Sequence, residues 1–210
     1  MKRTVLLLIL TFLVFVNISA GKRDTDTTEY KYNSAVLFQA KGPVKKIKIK
    51  SRDPFKHFCS AEFGPDGKFD DPIGMVYDAD GYFSYFRIGG ESGFLSVNES
   101  GEAKYDESRR LTGFKLDAKA KGFLDFSADY SFKYSDEGIL TQKTMDYAHK
   151  GKKGRFVYDY SDYSFDSQGS WVKRSVKLSD YDLDGEKKSE TDFTETRRIE
   201  YYLPENISKK

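Results

Sequence analysis

Apolar and polar residues alternate with a period of two along most of the chain beyond Pro43. The clearest stretch spans residues 123–134, where one parity is apolar or aromatic and the other is polar or charged. The apolar parity of this stretch consists of Leu124, Phe126, Ala128, Tyr130, Phe132 and Tyr134. Such alternation predicts a strand that turns one face to a core and the other to water.

Three later segments repeat this pattern. Their apolar rows are Phe156, Tyr158 and Tyr160; Val172, Val176 and Leu178; and Phe193, Ile199 and Tyr201. Arg174 interrupts the second row. No segment beyond residue 20 keeps an apolar period of 3.6 over the length of a helix, so the pattern predicts an all-β chain.

A recurring turn phrase separates these segments. An aromatic or apolar residue is followed by Asp or Asn, a short spacer and Gly, at residues 63–67, 77–81, 97–101, 134–138, 165–169 and 181–185. Gly122 and Gly154 end less regular copies of the phrase. Asp and Asn bond to their own backbone in tight turns, and Gly takes the positive φ that hairpin turns require.

The glycines of these turns are 14 to 21 residues apart. This period fits one β-hairpin, made of two short strands and their turns. The sequence therefore predicts successive antiparallel β-hairpins that form a curved, open repeat sheet. The lysines at positions 45, 46, 48 and 50 are interleaved with apolar residues, and they predict the solvated face of an edge strand of this sheet.

The first twenty residues predict a secretory signal peptide. Lys2 and Arg3 are followed by an apolar run over residues 5–16 and by small residues ahead of Gly21. The run is shorter than the about 20 residues that a transmembrane helix needs, and no cysteine for lipid attachment follows it. We therefore predict cleavage after Ala20, a periplasmic or secreted protein, and no membrane span after cleavage. An uncleaved membrane anchor is the alternative.

For the rest of the chain we predict a flexible leader over 21–33, a β-hairpin repeat domain over 34–203 and a disordered tail over 204–210. Cys59 is the single cysteine, so an exported chain has no internal disulfide and depends on its core. The full chain has 35 basic and 33 acidic residues, and loss of the two basic residues of the signal leaves 33 against 33. This neutral, mixed charge argues against nucleic acid as the partner, since that binding depends on neutralising phosphates.

The turns that combine Tyr, Asp and Gly resemble the tyrosine-aspartate hairpin repeats of exported bacterial proteins of the YD or Rhs type. Residues 163–174, YSFDSQGSWVKR, are similar to the phrase YDSxGNWxKR of small exported repeat proteins from Bacteroides-like bacteria. Those proteins commonly close on a strand like that at 194–202. The copies in this chain vary in length, and Ser170 stands where the phrase has Asn. The resemblance covers residues 42–202; it implies a hairpin-repeat sheet and carries no catalytic residues.

Aromatic side chains near the best-formed turn are the candidates for a ligand-binding surface. They are Trp171, Tyr163, Tyr158 and Tyr160. An excess of Tyr and Phe suits contacts with sugars or proteins. For Trp171, the only tryptophan, the alternative is an anchor in the core of the repeat.

The acidic turn around residue 182 contains calcium candidates. Asp180, Asp182 and Asp184 precede Gly185 at alternate positions, as carboxylates do at the start of a calcium-binding loop. The twelfth position of that loop is Thr191 instead of a bidentate Glu. An ordinary acidic hairpin turn is therefore the expectation, with no metal and no cofactor.

These features predict a non-enzymatic exported binding or scaffold module that contacts an envelope glycan or another exported protein. The alternative is a carboxylate-dependent hydrolase that acts on envelope polymers. A contiguous stripe of exposed aromatic rings would favour binding, whereas two carboxylates that converge in a deep pocket would favour hydrolysis.

Overall fold

The structure is a computed structural model that describes residues 31–53, 60–69, 75–92, 95–120, 124–149, 151–182 and 184–203. Residues 88–92, 95–97 and 124 are described for their backbone only. The predicted signal peptide, residues 21–30 of the predicted leader, the predicted tail and Cys59 lie outside the described residues.

The described chain contains one short 3-10 helix, Ser34–Phe38, followed by eleven strands. The strands are β1 (Val44–Lys50), β2 (Ser60–Glu62), β3 (Met75–Tyr77), β4 (Phe83–Ser92), β5 (Leu95–Tyr105), β6 (Leu111–Ala120), β7 (Leu124–Tyr134), β8 (Leu140–His149), β9 (Lys152–Phe165), β10 (Trp171–Tyr181) and β11 (Lys187–Tyr201).

All eleven strands belong to one antiparallel sheet with the order β2-β1-β11-β10-β9-β8-β7-β6-β5-β4-β3. From β3 to β11 each strand pairs with the next one along the chain, so this part is a succession of hairpins. The exception is β1, which pairs with β11, the last strand. The sheet is open, and the prediction of an all-β fold built from successive antiparallel hairpins is confirmed.

The prediction that the lysine-rich strand lies at an edge is wrong. This strand is β1, and it lies between β11 and β2, with Lys46, Ile47 and Lys48 paired to β2. The edge strands are β2 and β3, each of three residues. Very short edge strands limit pairing with other chains.

Five copies of the turn phrase form the same turn. In each, the first turn residue donates its N–H to the carbonyl four residues later, and the fourth donates back to the first; Asp166 donates to Ser170 at 2.9 Å and Gly169 to Asp166 at 3.1 Å. The fourth residue is a glycine with φ between 74° and 84°, namely Gly67, Gly81, Gly138, Gly169 and Gly185. This is a type I turn closed by a glycine bulge, as the phrase predicts.

The predicted turn at 97–101 is wrong, because these residues lie inside β5. A Cβ at Gly101 would lie 2.8 Å from Cζ of Phe114 and closer still to the ring of Phe86. Gly154 lies inside β9, where a Cβ would lie 2.7 Å from the Tyr147 hydroxyl. These two glycines make room for aromatic rings on neighbouring strands and do not form turns.

One turn, at residues 106–109, was not predicted from the sequence because it contains no glycine. Asp106 donates its N–H to Arg110, and Arg109 donates to Asp106, in the same arrangement as the other turns. Arg109 has a φ of 58°, in the left-handed region. This turn follows β5, and it forms a series with the turns that follow β3, β7 and β9. The fourth residues of these four turns are 81, 109, 138 and 169, at intervals of 28, 29 and 31.

The prediction that each interval between turn glycines holds two short strands is also wrong. Strands β4 to β11 contain 10 to 15 residues, and each interval of about 16 residues holds one strand and one turn. The hairpin repeat is thus close to twice the period that the glycines suggested.

The core lies on one face of the sheet, which we call the inner face. The larger cluster contains Ala128, Leu140, Met145, Phe156, Tyr158, Tyr160, Val176, Leu178 and Phe193. The smaller cluster, under the 3-10 helix and β1, contains Ala35, Ala40, Val44, Ile47, Ala61, Phe63 and Phe69. The predicted alternation is confirmed in β7, where Asp125, Asp129 and Lys133 are exposed on the opposite, outer face while Ala128 is buried.

The first described residues bridge the two edges of the open sheet. The amides of residues 31 and 32 donate to the carbonyl oxygen of Asp66, which follows β2, and the amide of Asn33 donates to that of Gly81, which follows β3. Residues 31–33, the end of the predicted leader, are therefore hydrogen-bonded to both edges.

Ser34 adds a side-chain link between the same edges. Its Oγ lies 2.8 Å from the hydroxyl of Tyr77 on β3. The amide of Phe69 donates to the Ser34 Oγ at 3.1 Å and to the Tyr77 hydroxyl at 3.2 Å.

Candidate functional site

A buried group of charged and aromatic side chains lies on the inner face of β10 and β11. We call Trp171, Arg174, Glu195 and Arg197 the arginine–tryptophan cluster. Arg174 and Glu195 are direct partners in the register of the two strands, so the alternation that buries the core also buries this pair. Arg174 Nε and Nη2 lie 2.8 Å and 2.7 Å from Glu195 Oε2, and the two side chains are 6% and 3% exposed.

Both guanidinium groups of the cluster stack on the indole. Arg174 Cζ lies 4.1 Å and Arg197 Cζ 4.0 Å from the centroid of Trp171. Trp171 is 4% exposed, and its indole N–H has no hydrogen-bond acceptor among the described residues. Cation–π attraction is strongest where both groups are desolvated. The attraction of the two guanidinium groups to the ring therefore offsets the free-energy cost of burying an indole N–H without an acceptor.

The cluster also holds the segment that follows the 3-10 helix. Arg197 donates to the carbonyl oxygens of Phe38 and Gln39, the latter at 2.9 Å. Arg174 Nη1 donates to Gln39 Oε1 at 3.1 Å. Burial, together with the charge of Arg174, lowers the pKa of Arg197 from 12.5 to about 9. The donors of both arginines are thus used within the protein, and the cluster joins the beginning of the chain to its end.

The aromatic ligand candidates differ in their accessibility. Trp171, Tyr158 and Tyr160 are buried in the core, and burial raises the pKa of Tyr158 well above its ordinary value. Tyr160 is stacked on by Arg174, whose Cζ lies 3.8 Å from the ring centroid. Tyr163 is half-buried, and its hydroxyl donates to the Leu140 carbonyl at 2.6 Å. Of these four side chains, only Tyr163 reaches the surface in part.

Phe165 is an exposed ring that the sequence reasoning did not select. It is 46% exposed and stacks on Tyr163, with the ring centroids 5.6 Å apart and an interplanar angle of 14°. We call this pair the aromatic platform. Phe165 is the first residue of the turn phrase at 165–169, a position at the end of a strand, and this placement was the available signal.

The three calcium candidates do not converge. Asp182 Oδ1 accepts the amides of Asp184 and Glu186 at 3.0 Å and 2.9 Å, which is the role of an aspartate that closes a turn. Asp180 pairs with Phe156 in the sheet register, and burial raises its pKa. Among the described residues, no group of three or more His, Cys, Asp or Glu side chains is close enough to hold a metal ion.

A shallow hollow of about 170 Å³ lies between β4, β5 and β6, and two of its lining residues are carboxylic acids, Glu99 and Asp117. Burial raises the pKa of Glu99 from 4.5 to about 7. In the register of β5 and β6, however, Glu99 pairs with Ala118 and Ser100 with Asp117. Neighbouring pairs face opposite sides of a sheet, so the hollow does not bring together the two carboxylates that a glycoside hydrolase requires.

Comparisons with known proteins add no assignment. No protein-family model matches the chain, and no curated protein matches it. In the part of the chain that the structure describes, no helix has the length and apolar character needed to cross a membrane.

Proposed function

We propose that this chain is a non-enzymatic, exported binding or scaffold module whose partner is an envelope glycan or another exported protein. The observation that carries the proposal is the aromatic platform of Tyr163 and Phe165 at the end of β9. Aromatic rings with one exposed face offer a large apolar contact at a low cost in conformational entropy, which suits the apolar faces of sugar rings.

The platform is held in place before any partner binds. The Tyr163 hydroxyl is fixed to the carbonyl of Leu140, and Phe165 is followed directly by the turn at 166–169. Asp166 Oδ1 accepts the amides of Gln168 and Ser170 at 3.0 Å and 2.9 Å, which locks that turn. A preorganised site loses less conformational entropy on binding, and this raises its affinity.

The long sheet supports the same proposal. Strands β5 to β11 form an uninterrupted succession of hairpins whose outer face carries many exposed polar side chains. Repeats of one supersecondary unit build extended surfaces of the kind that binding proteins use. The resemblance to exported tyrosine-aspartate repeat proteins is part of the proposal and gives it the envelope as its setting.

The experiment is a capture assay with residues 21–210 as bait. The targets are immobilised cell-wall and capsule glycans and solubilised envelope proteins, with and without calcium. We expect saturable capture of one target, and a loss of at least about tenfold in affinity for Phe165→Ala, which corresponds to about 1.4 kcal/mol.

Val76→Ala is the matched control, because Val76 is 51% exposed and lies on β3, at one edge of the sheet. This variant should bind like the parent protein. Absence of capture from every target, or equal losses in the two variants, would count against the proposal.

A further inference from the structure

Four basic side chains form an exposed group on the outer face where β1, β11 and β10 lie side by side. We call Lys48, Lys50, Lys173 and Arg198 the cationic patch. Lys48 is the direct partner of Arg198, and Lys50 is the partner of Thr196, which is in turn the partner of Lys173. With strands about 4.8 Å apart and residues about 3.4 Å apart along a strand, the four Cα positions lie within an area of roughly 7 by 10 Å.

The four patch residues are not compensated by ion pairs within the described part of the chain. Some cations elsewhere in the sheet pair with an acid on a neighbouring strand, as Arg155 does with Asp146 at 2.6 Å and Lys177 with Glu190 at 3.7 Å. None of the four patch residues forms an ion pair with a described residue. Four positive charges therefore lie together, and none has a direct ion-pair partner among the described residues.

The arrangement places two like charges directly opposite one another. Like charges directly opposite one another on adjacent strands destabilise a sheet, and Lys48 and Arg198 hold such positions. The acid on the outer face of β11 closest in sequence to Arg198 is Glu200, which is the partner of Lys46. Glu195, the partner of Arg174, points to the inner face and is buried. An anionic partner would remove the repulsion that the fold leaves in place.

The patch lies on the opposite face of the sheet from the aromatic platform. Lys173 is paired with Ser164, the residue between Tyr163 and Phe165. Neighbouring residues of a strand face opposite sides, and on the inner face Arg174 Nη1 donates to the Tyr163 hydroxyl at 3.4 Å, so the patch and the platform are separate surfaces. Thr194 and Thr196, both exposed on β11, add hydroxyl groups to the face of the patch.

We propose that the cationic patch binds an anionic polysaccharide through its carboxylate, sulfate or phosphate groups. This inference goes beyond the proposed function, because the patch is a second surface, on the face of the sheet opposite the aromatic platform. Lysine side chains recognise such groups as point charges, and the attraction is strongest at low ionic strength. An anionic glycan fits better than nucleic acid, because four clustered charges on an otherwise neutral chain neutralise few phosphates.

The test compares two variants of equal charge. The patch variant carries K48Q, K50Q, K173Q and R198Q. The control variant carries K104Q, K115Q, K119Q and K133Q, four exposed lysines on β5, β6 and β7. Binding of residues 21–210 is measured to polygalacturonate, dextran sulfate, a phosphorylated glucan, neutral dextran and double-stranded DNA, at about 20 and 300 mM salt.

We expect binding to at least one anionic glycan that weakens with salt, with a loss of at least about tenfold in the patch variant and less than about threefold in the control variant. The thermal midpoint of the patch variant should equal or exceed that of the parent, since a repulsive pair has been removed. The three anionic polymers distinguish carboxylate, sulfate and phosphate as the preferred group.

Three results would overturn the inference. They are equal losses in the two variants, salt-independent binding to neutral dextran, and a preference for DNA over every anionic glycan. If a neutral glycan or an envelope protein is captured through Phe165 while the anionic glycans are not, the proposed function stands and the patch inference fails. If the folded parent captures nothing, both fail.

Discussion

Two regions of this sheet reach stability by different means. Along β4 to β9 the structure repeats one local arrangement, in which a tyrosine near the end of a strand donates its hydroxyl to the backbone 22 or 23 residues earlier. The three bonds join Tyr105 to Phe83, Tyr134 to Leu111 and Tyr163 to Leu140, at 2.9, 2.8 and 2.6 Å. Each bond joins two neighbouring strands, β4 with β5, β6 with β7 and β8 with β9.

The closing region, formed by the 3-10 helix, β1, β10 and β11, has no such repetition. It depends on the arginine–tryptophan cluster, whose contacts to Gln39 join residues 135 and 158 positions apart. Stability in the repeated region is expected to be a sum of similar small terms. In the closing region it is concentrated in a few buried charges, which cost a great deal when one partner is removed.

The largest effect is expected from Glu195→Ala. This change leaves Arg174 buried without its carboxylate and should lower the free energy of unfolding by about 3–5 kcal/mol. Urea unfolding followed by tryptophan fluorescence would show a lower midpoint with little change in slope.

The control for this prediction removes both charges. Arg174→Met combined with Glu195→Leu should recover most of the lost stability, because no unpaired ion remains. If the double variant is as unstable as Glu195→Ala, the buried charge is not the cause.

The next largest effect tests packing within the repeated region. Gly101→Ala places a methyl group against the rings of Phe86 and Phe114 and should cost about 1–3 kcal/mol. Gly113→Ala on β6 is the matched control, since its Cβ would meet no atom closer than 3.6 Å. The control should be neutral or stabilising by up to about 1 kcal/mol, because alanine has less freedom in the unfolded chain. Equal destabilisation in the two variants would contradict the packing role of Gly101.

Removal of a tyrosine hydroxyl should have a smaller effect. Tyr134→Phe leaves the Leu111 carbonyl without this donor and should cost about 1 kcal/mol. Tyr105→Phe should cost a similar amount, and the double variant should equal the sum within about 0.5 kcal/mol. A much larger loss in the double variant would show that the repeated region is as interdependent as the closing region.

The smallest effect is a change in stability with pH, and it comes from Glu99. This half-buried carboxyl group contrasts with Glu195, which is paired with Arg174. Burial raises the folded pKa of Glu99 to about 7, above the unfolded value near 4.5, so the folded state holds the proton more tightly. The stability that Glu99 contributes is therefore full below pH 4.5 and is lost as the pH rises through 7. After allowance for partial exposure, the loss is about 1 kcal/mol.

Glu99→Gln removes this titration. The variant should match the parent at pH 4 and be more stable by about 1 kcal/mol at pH 8. Thermal unfolding at both pH values gives the comparison. A variant that is less stable than the parent at pH 8 would mean that the ionised carboxylate has a favourable role.

The repeated region was largely predictable from the sequence, because its determinants are local. Alternation placed the row of β7 on the core, and the Asp–Gly phrase located five of the turns, since a period of two and a positive φ depend on a few adjacent residues. The same rule failed at Gly101, because this glycine makes room for aromatic rings on two neighbouring strands and does not form a turn. It also missed the turn at 106–109, where Arg109 takes the position of glycine.

The candidate site was less predictable. Alternation put Arg174 in an apolar row, but nothing in the local sequence showed that Glu195 would be its partner across β11. The aromatic candidates were chosen by residue type, and the sequence alone could not separate buried Tyr158 from exposed Phe165. Likewise, lysine positions in β1 were visible in the sequence, whereas the cationic patch exists only because β11 and β10 add Arg198 and Lys173 beside them.

By itself, then, the sequence determined the strands, most turns and the all-β class of this protein, because each depends on contacts within a few residues. The tertiary structure alone decided that β1 pairs with β11, that residues 31–34 join the two edges, and which charges are buried in pairs or left exposed together. Those features depend on residues that lie far apart along the chain and meet only after the sheet has formed, so no local pattern encodes them.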